Sequence, residues 1–332
     1  MRKLAALLIA LFACVAPAQA REFTDSLGRT VTLPDEVSRV LPAGPPAAVA
    51  IYTVAPEKLA GWVRPLKPDQ LNFIVERYRS LPVVGRLTGK EAGIGTAEVK
   101  ALHPDLIIDI GDLDPEYRAL ADKIQSETGI PYVVLDGSLA NTPQLYTQLS
   151  QLLNGGLMAD MLAVMTAGDL AHIAGLKATA LRPARVYFAR DRSAPEAGSM
   201  GNMSGIDQQV LDALGAISIA GHQAVTVGQV ADRNPDLILT ENAEIAKKIR
   251  SDPEWRQVPA AAAGKVYVVP SLPFGWLGTP PGVNRLIGLE WLSALLYPGT
   301  PKVDLAAETR RFYRNYYKVD LTDAQLQQLL GP

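Results

Sequence analysis

The segment GGLMADMLAVMTAGDLAHIAGLKATALR, residues 155–182, decides the fold of the chain, because it predicts one long helix near the middle of the sequence. It contains no proline, a glycine pair opens it, and Pro183 follows it directly. A helix of roughly 25 residues is about 38 Å long, which is enough to join two lobes of a protein. An ordinary core helix would show the same pattern, so both interpretations stay open at this point. The apolar residues that recur near the helical period are Met158, Leu162, Met165, Ile173, Leu176 and Ala180.

The first twenty residues predict export from the cytoplasm. Arg2 and Lys3 precede an apolar run over residues 4–15, and the small-residue pattern Ala18-Gln19-Ala20 follows it. The apolar run is too short to span a bilayer. We therefore expect a signal peptide over residues 1–20 that is cleaved after Ala20.

Cys14, the single cysteine of the chain, lies inside this signal peptide. The residues around it weakly resemble a lipoprotein cleavage site, so lipid anchoring at Cys14 is the less favoured alternative. Cleavage after Ala20 would leave no cysteine, and therefore no disulfide and no thiolate ligand for a metal. Without Arg2 and Lys3, 30 basic residues stand against 34 acidic ones, and this balance does not indicate nucleic acid or an anionic membrane as a partner.

An internal repeat flanks the long helical segment. A helical pattern at 98–103 precedes the apolar run PDLII at 104–108, and a second helical pattern at 228–234 precedes PDLIL at 235–239. Pro-Asp often begins a buried strand, so the repeat could also arise by chance. Further apolar runs alternate with helical patterns, which is typical of parallel sheets covered by helices. These runs lie at 132–135, 185–188 and 266–269, and the helical patterns lie at 115–128 and 210–214.

The alternation predicts an α/β fold with two lobes, each with a central, mostly parallel sheet flanked by helices, bridged by a single long helix. After removal of the signal peptide the chain is long for a single core, which also favours two lobes. We assign residues 21–154 to an N-terminal lobe and 155–182 to the connecting helix. Residues 183–332 form a C-terminal lobe that ends in helices.

The candidate ligand contacts lie in loops that follow predicted strands. In open α/β sheets, ligands bind beyond the carboxyl ends of the strands, where loops and helix N-termini meet. Aromatic side chains and arginines from both lobes would suit an anionic or partly planar ligand. Packed aromatic side chains and solvated surface arginines are the plain alternative. The candidates are Pro45, Tyr52, Arg86, Arg190, Phe274, Trp276, Asn284 and Arg285.

The sequence contains no enzyme signature that we recognise. It lacks the GxGxxG, P-loop, GxSxG and HExxH motifs, and its three histidines, His103, His172 and His222, stand in unrelated contexts. We therefore expect no catalysis, no cofactor and no resident metal ion. The alternative from another class is a secreted α/β hydrolase-type enzyme that uses Ser204 or an aspartate together with His222.

Several motifs occur in a characteristic order over nearly the whole mature chain. They are DSLGRTV at 25–31, the two PDLI units, DPEW at 252–255 before GKVY at 264–267, and FGW at 274–276 before PPGVNR at 280–285. This order resembles the periplasmic binding proteins of iron-siderophore, haem and cobalamin ABC importers. The resemblance implies a monomer in the periplasm that binds its ligand between two lobes, performs no chemistry, and delivers the ligand to a permease and its ATPase in the inner membrane. Because one stiff helix bends less than flexible strands, we expect only modest lobe movement.

The resemblance leaves the ligand open. A ferric siderophore, a related iron complex or cobalamin is the leading prediction, and an oxyanion such as molybdate or tungstate is an alternative. Arg86, Arg190 and Arg285 would suit either an oxyanion or the acidic groups of a siderophore. Haem is less favoured, because its iron usually needs a His or Tyr ligand, and among the candidate residues only Tyr52 qualifies.

The resemblance also implies docking onto permease arginines through one acidic side chain on each lobe. This chain carries Ala97 where such proteins often carry a glutamate. We expect Glu98 or Glu91 to substitute on the N-terminal lobe. On the C-terminal lobe, the candidates are Asp207 and Asp212.

Overall fold

The computed structural model describes residues 21–88, 93–111, 113–178, 182–189, 205–220, 225–297 and 303–331, and at 205–207 it describes the backbone alone. A β-hairpin opens this part of the chain, where strand β1 (Arg21–Thr24) pairs antiparallel with β2 (Thr30–Leu33). The buried Asp25 carboxylate accepts hydrogen bonds from the backbone N–H groups of Leu27 and Arg29 and so closes the turn.

The N-terminal lobe is built on a parallel sheet of three strands. β3 (Val40–Pro42), β4 (Leu106–Gly111) and β5 (Tyr132–Asp136) lie in that order, with β4 in the centre. The strands are buried almost throughout, as expected for a sheet with helices on both faces. The helices of the lobe are α1 (Pro45–Val54), α2 (Pro68–Leu71), α3 (Glu76–Arg79), α4 (Thr96–Ala101), α5 (Pro115–Thr128) and α6 (Thr142–Leu153).

The connecting helix α7 (Gly156–Ala178) has 23 residues and packs along α6. By length and composition alone it could cross a membrane, with a mean hydropathy of 1.3 over 18 residues. The residues that it buries include Ala159, Leu162, Thr166, Ile173 and Leu176. The predicted helix is therefore confirmed, and so is part of its predicted inner face.

The structure corrects the predicted helix at two places. Met158 was predicted on the inner face, but it is 60% exposed because the buried stripe runs through Ala159 and Leu162. Arg182 was predicted to end the helix, but it is not helical and forms an ion pair of 2.6 Å with Asp236. Pro183 explains this end, since the residue before a proline avoids the helical conformation. Ala180 lies outside the described residues.

The C-terminal lobe contains a parallel sheet of four strands. Their order is β7-β6-β8-β9, formed by β6 (Arg185–Phe188), β7 (Ile217–Ser218), β8 (Leu237–Thr240) and β9 (Val266–Val268). The helices of this half are α8 (Gly205–Leu214), α9 (Val227–Arg233), α10 (Ala243–Ser251), α11 (Pro259–Ala262), α12 (Asn284–Leu296), α13 (Leu305–Phe312) and α14 (Asp323–Leu330). The predicted α/β class with two parallel sheets is confirmed.

The internal repeat corresponds to the same structural unit in each lobe. In the first copy α4 leads into β4, and in the second α9 leads into β8. His103 and Asn234 hold the same place between helix and strand, and both have left-handed backbones with φ of 48° and 42°. Asp105 and Asp236 then accept hydrogen bonds from backbone N–H groups at or just before the start of the neighbouring strand. The repeat therefore reflects shared structure, and His103 has a backbone role.

The last part of the chain packs against the N-terminal lobe. A π-helical turn, Tyr313–Tyr317, follows α13, and its tyrosines are buried. The Tyr52 hydroxyl donates a hydrogen bond of 2.9 Å to the Tyr317 carbonyl oxygen, and the Tyr146 and Tyr316 rings meet edge to face at 6.0 Å. The hydrophobic core thus continues from the first lobe into the C-terminal segment.

Candidate functional site

The candidate site lies between the two halves, beyond the carboxyl ends of β3 and β4. Gly44 follows β3 with an extended backbone, and Pro45 and Pro46 form the first turn of α1. Proline suits this position, because its φ is already helical and the first turn needs no N–H donor. The loop 270–283, which follows β9, provides the opposite wall through Phe274, Pro280 and Pro281.

A short backbone pairing brings two arginines to one side of the cleft. Trp62 pairs with the segment 82–84, donating its N–H to the Pro82 carbonyl and accepting from the Val84 N–H, each at 2.9 Å. The pairing is parallel, so the two segments continue from it in the same direction. Arg64 lies two residues after Trp62, Arg86 lies two residues after Val84, and both line the same cavity.

This cationic cavity has a volume of about 240 Å³. Arg64 is exposed and makes no hydrogen bond or ion pair with the described residues, whereas Arg86 is half-buried. Two guanidinium groups around one space make it favourable for an anion, since each can donate several hydrogen bonds in a planar fork. The residues that line it are Pro45, Val63, Arg64, Gly85, Arg86, Gly93 and Ile94.

An apolar pocket adjoins the cationic cavity and shares Pro45, Val63 and Arg64 with it. The Trp62 and Phe274 rings form its aromatic part, with centroids 6.2 Å apart. The Trp62 side chain is fixed in place by a hydrogen bond of 2.8 Å from its Nε1 to the Tyr78 carbonyl oxygen. The site therefore offers positive charge beside an apolar wall.

A third cavity, of about 80 Å³, is lined by residues of both lobes. Its N-terminal wall includes Pro46, Gly137 and Ser138, and its C-terminal wall includes Gln209 and Pro281. Both lobes thus contribute to the cleft.

A buried carboxylate lies behind the N-terminal wall. Asp109, on β4, is 1% exposed and accepts hydrogen bonds from the Tyr132 hydroxyl at 3.1 Å and from the Thr88 hydroxyl at 3.4 Å. Burial raises the pKa of Asp109 to about 6, although these hydrogen bonds act in the opposite direction. Thr88 in turn packs on Gly44, where an added Cβ would lie 2.7 Å from the hydroxyl oxygen. The carboxylate is thus connected to the start of α1.

Three of the predicted ligand contacts line the cavities, namely Pro45, Arg86 and Phe274. Tyr52 and Trp276 are instead fully buried, which corrects their predicted placement. The Tyr52 hydroxyl also accepts a hydrogen bond from a backbone N–H, and burial raises its pKa to about 12. The Trp276 Nε1 donates to the Tyr313 hydroxyl at 3.2 Å. Both side chains support the cleft from behind.

Asn284 and Arg285 are also buried rather than open to the cleft. The Asn284 Nδ2 donates to the carbonyl oxygens of Gly275 and Pro280, which fixes the loop that carries Phe274. Arg285 donates to Gly137 and Gln209. Their polar groups thus have partners within the protein, and ligand contact by these two residues stays a prediction.

Some predicted residues lie outside the described part of the chain. These are Arg190, Ser204 and His222, together with the docking candidate Glu91, and the side chain of Asp207 is likewise not described. Glu98 is exposed and accepts a hydrogen bond from the Gly95 N–H at the start of α4. Glu98 lies four residues after Ile94, which lines the cationic cavity. Asp212 is exposed on α8. Both positions are accessible.

Sequence reasoning missed Arg64 and Gln209. A signal for Arg64 was present, because the apolar run before it ends abruptly at Arg64-Pro65, as at the end of a strand-like segment beside a loop. Gln209 offered no such signal, since it is one of several glutamines in helical patterns.

Comparison with known proteins gives structural relatives only. No family model matches the sequence, and no curated protein matches it at a significant level. An ABC transporter solute binding protein from Sulfurospirillum deleyianum superposes with a TM-score of 0.82 and 22% identity, over 94% of this chain and 99% of that one.

Two further solved structures carry information about ligands. The molybdate periplasmic binding protein MolA of Haemophilus influenzae, bound to molybdate, has a TM-score of 0.70 and 19% identity over 91% of this chain and 99% of that one. Helicobacter pylori CeuE, in a Ni-His complex, has a TM-score of 0.65 and 18% identity over 95% and 100%. The chain therefore has the two-lobe fold of the periplasmic solute-binding proteins of ABC transporters, the family that its sequence resembles.

Proposed function

We propose that the protein is the periplasmic solute-binding component of an ABC importer. It captures an anionic solute between its lobes and delivers it to a permease and its ATPase in the inner membrane. The fold, the export signal and the cleft support this proposal. The observation that carries it is the pairing that brings Arg64 and Arg86 to one cavity of the first lobe, beside the apolar pocket that Phe274 and Pro280 of the second lobe also line.

The first candidate ligand is a ferric siderophore or a related iron complex. Such a ligand combines acidic groups with a planar or apolar body, and the cationic cavity beside Trp62 and Phe274 suits this combination. Cobalamin stays in the same group of candidates. Haem is disfavoured, because Tyr52 is buried and its hydroxyl donates to Tyr317, so Tyr52 cannot serve as the iron ligand.

The second candidate is an oxyanion such as molybdate or tungstate. The volume of the cationic cavity, about 240 Å³, favours it, because drug-sized ligands occupy roughly 300–1,000 Å³. The Haemophilus protein with the same fold was solved with molybdate bound. The two candidates differ in the part of the site that they need, since an oxyanion needs the arginines and a siderophore also needs the aromatic wall.

Ligand titration tests the function. Purified mature protein is titrated with ferric siderophores, cobalamin, haem, molybdate and tungstate, and the heat of binding and the tryptophan fluorescence are recorded. We expect saturable binding of one anionic class. Trp62 lines the apolar pocket, so Trp62→Phe should remove the fluorescence change while Trp255→Phe retains it. Failure of all these ligands to bind would contradict the proposal.

Arg64→Ala should weaken binding of the anionic ligand by roughly tenfold or more, since hydrogen bonds to a charged group contribute about 1.5–3 kcal/mol. The affinity of the variant should also depend less on salt. Isothermal titration measures both effects. Arg256→Ala is the matched control, because Arg256 is also exposed but lines none of the cleft cavities. Equal affinities of the Arg64→Ala and wild-type proteins would show that the ligand does not use this cavity.

The docking residues remain part of the proposal. Glu98 and Asp212 are the exposed candidates, and Glu91 and Asp207 are their alternatives. Delivery by a monomer would place one of these carboxylates on each lobe against permease arginines. Support comes from the short distance in sequence between Glu98 and the cavity residue Ile94.

A further inference from the structure

Arg285 connects three segments that meet in the cleft. It is 2% exposed, although it is charged and lies at the second residue of α12. Its Nη2 donates to the Gly137 carbonyl oxygen at 2.8 Å, and its Nη1 donates to the Gln209 Oε1 at 3.1 Å. Its Nε donates to the Gly282 carbonyl at 3.2 Å. One guanidinium thus joins the loop after β5 in the first lobe to α8 and α12 in the second.

Gln209 makes the second part of the same connection. Its Oε1 accepts a hydrogen bond of 2.7 Å from the backbone N–H of Leu139, two residues after Gly137. The amide oxygen therefore lies between a donor of the first lobe and Arg285 of the second. Leu139 is 3% exposed, so its N–H would lose its partner if the lobes separated without water entering.

The first-lobe side of this contact is closely packed. A Cβ added to Gly137 would lie 3.1 Å from a methyl carbon of Ile110 and 3.2 Å from the Gly111 nitrogen. The Gly137 carbonyl is therefore held firmly by β4 while it accepts from Arg285. Gly137 and Gln209 also line the cavity of about 80 Å³ to which both lobes contribute.

We propose that Arg285 and Gln209 form an inter-lobe latch, which holds the two lobes together before a ligand binds. Ligand affinity then depends on residues that the ligand does not touch, because a ligand that binds only the closed protein binds more weakly as the closed fraction falls. The effect of the latch on ligand affinity rests on the proposed function. That the latch holds the lobes together in the free protein does not depend on the proposed function.

The test of the latch uses the free mature protein, with amide hydrogen exchange at Leu139 as the readout. Gln209→Ala removes the acceptor of this N–H and one acceptor of Arg285, and we expect exchange at Leu139 to accelerate roughly tenfold or more. Arg285→Lys should act in the same direction, because a lysine cannot span both acceptors with a planar fork. Gln209→Glu retains an oxygen acceptor and should preserve slow exchange.

Gln208→Ala is the matched control on the same helix, since the Gln208 Nε2 donates to Asp212 within α8. It should leave exchange at Leu139 unchanged. The latch is refuted if exchange in Gln209→Ala and Arg285→Lys equals that of the wild type, or if Gln209→Glu exchanges as fast as Gln209→Ala. Global unfolding is monitored by circular dichroism, and acceleration at Leu139 that merely follows a uniform increase over all amides would also refute it.

Titration of the same variants with the ligand found for the wild type separates this inference from the proposed function. Roughly tenfold weaker binding in Gln209→Ala, with Gln208→Ala unchanged, supports the effect of the latch on affinity. Unchanged affinity together with faster exchange would refute that effect. If the wild-type protein binds none of the candidate ligands, the function fails while the exchange result still decides whether the latch exists.

Discussion

At the scale of single residues, Asp109 makes a definite prediction about pH. Its carboxylate is buried behind the cleft, and burial raises its pKa to about 6 in the folded protein. The ordinary value of 3.8 applies when the chain is unfolded. Between these values the folded state holds a proton that the unfolded state has released, so the free energy of unfolding falls as the pH rises through this window.

Asp109→Asn removes this titration and keeps one oxygen acceptor, whereas in the wild type the two carboxylate oxygens accept separately from the Tyr132 and Thr88 hydroxyls. The stability of the wild type relative to the variant should therefore fall by roughly 2–3 kcal/mol between about pH 4 and pH 7. Denaturant unfolding of both proteins across this range measures the difference. Parallel stability curves for the two proteins would show that Asp109 does not titrate in this window.

The sequence predicted Pro45, Arg86 and Phe274 at the cavities, because each lies near the end of a strand-like segment at the cleft edge. It could not separate them from Tyr52, which lies on α1. Seven consecutive residues of α1 are buried, so no polar face in the sequence marks which side chains point to the core. For a helix that is buried on all sides, the sequence does not show which way each side chain points, and only the packed structure shows this.

At the scale of elements, the close contact between α12 and the loop 270–283 can be tested at a glycine. A Cβ added to Gly288 would lie 2.0 Å from the Trp276 carbonyl oxygen, and the backbone there is also held by Asn284. Gly288→Ala should therefore destabilise the protein by roughly 2–4 kcal/mol. Thermal and denaturant unfolding measure the loss.

Gly168→Ala is the matched control, because Gly168 lies in α7 with no atom within 4 Å of the added Cβ. Alanine is the better helix former, so this variant should gain about 0.5–1 kcal/mol. If Gly288→Ala is as stable as Gly168→Ala, the loop is not fixed against α12, and the aromatic wall of the cleft is not fixed either.

The sequence predicted most helices and strands well, but it predicted their ends and their buried faces less well. The two PDLI units predicted the central strands of both sheets, since three consecutive apolar residues after Pro-Asp suit a strand buried on both faces. The face of α7 was harder to predict, because Leu157, Met158 and Val164 are apolar but exposed. A helix that is apolar nearly all round carries little information about which side faces the core.

At the scale of the whole molecule, the connection between the lobes is stronger than one helix provides. The Gln70 Nε2 donates to the Pro273 carbonyl oxygen at 2.6 Å, and the Gln325 Nε2 donates to the Asn72 carbonyl oxygen at 2.9 Å. The segment 66–75 of the first lobe is thus bonded to the loop after β9 and to α14. The sequence could not predict these contacts, because they join residues about 200 to 250 positions apart.

These two hydrogen bonds allow the predicted modest lobe movement to be given a size. A folded chain of this length has a radius of gyration of about 20 Å, and we expect ligand binding to change it by less than about 1 Å, since both the long helix and the C-terminal segment resist hinge opening. Small-angle X-ray scattering of the free and ligand-saturated protein measures this change. In the double variant Gln70→Ala/Gln325→Ala, the free protein should open further and contract more on binding. A large contraction in the wild type would show that the aromatic core between the lobes separates in the free protein, and would contradict the structural basis of the latch as well.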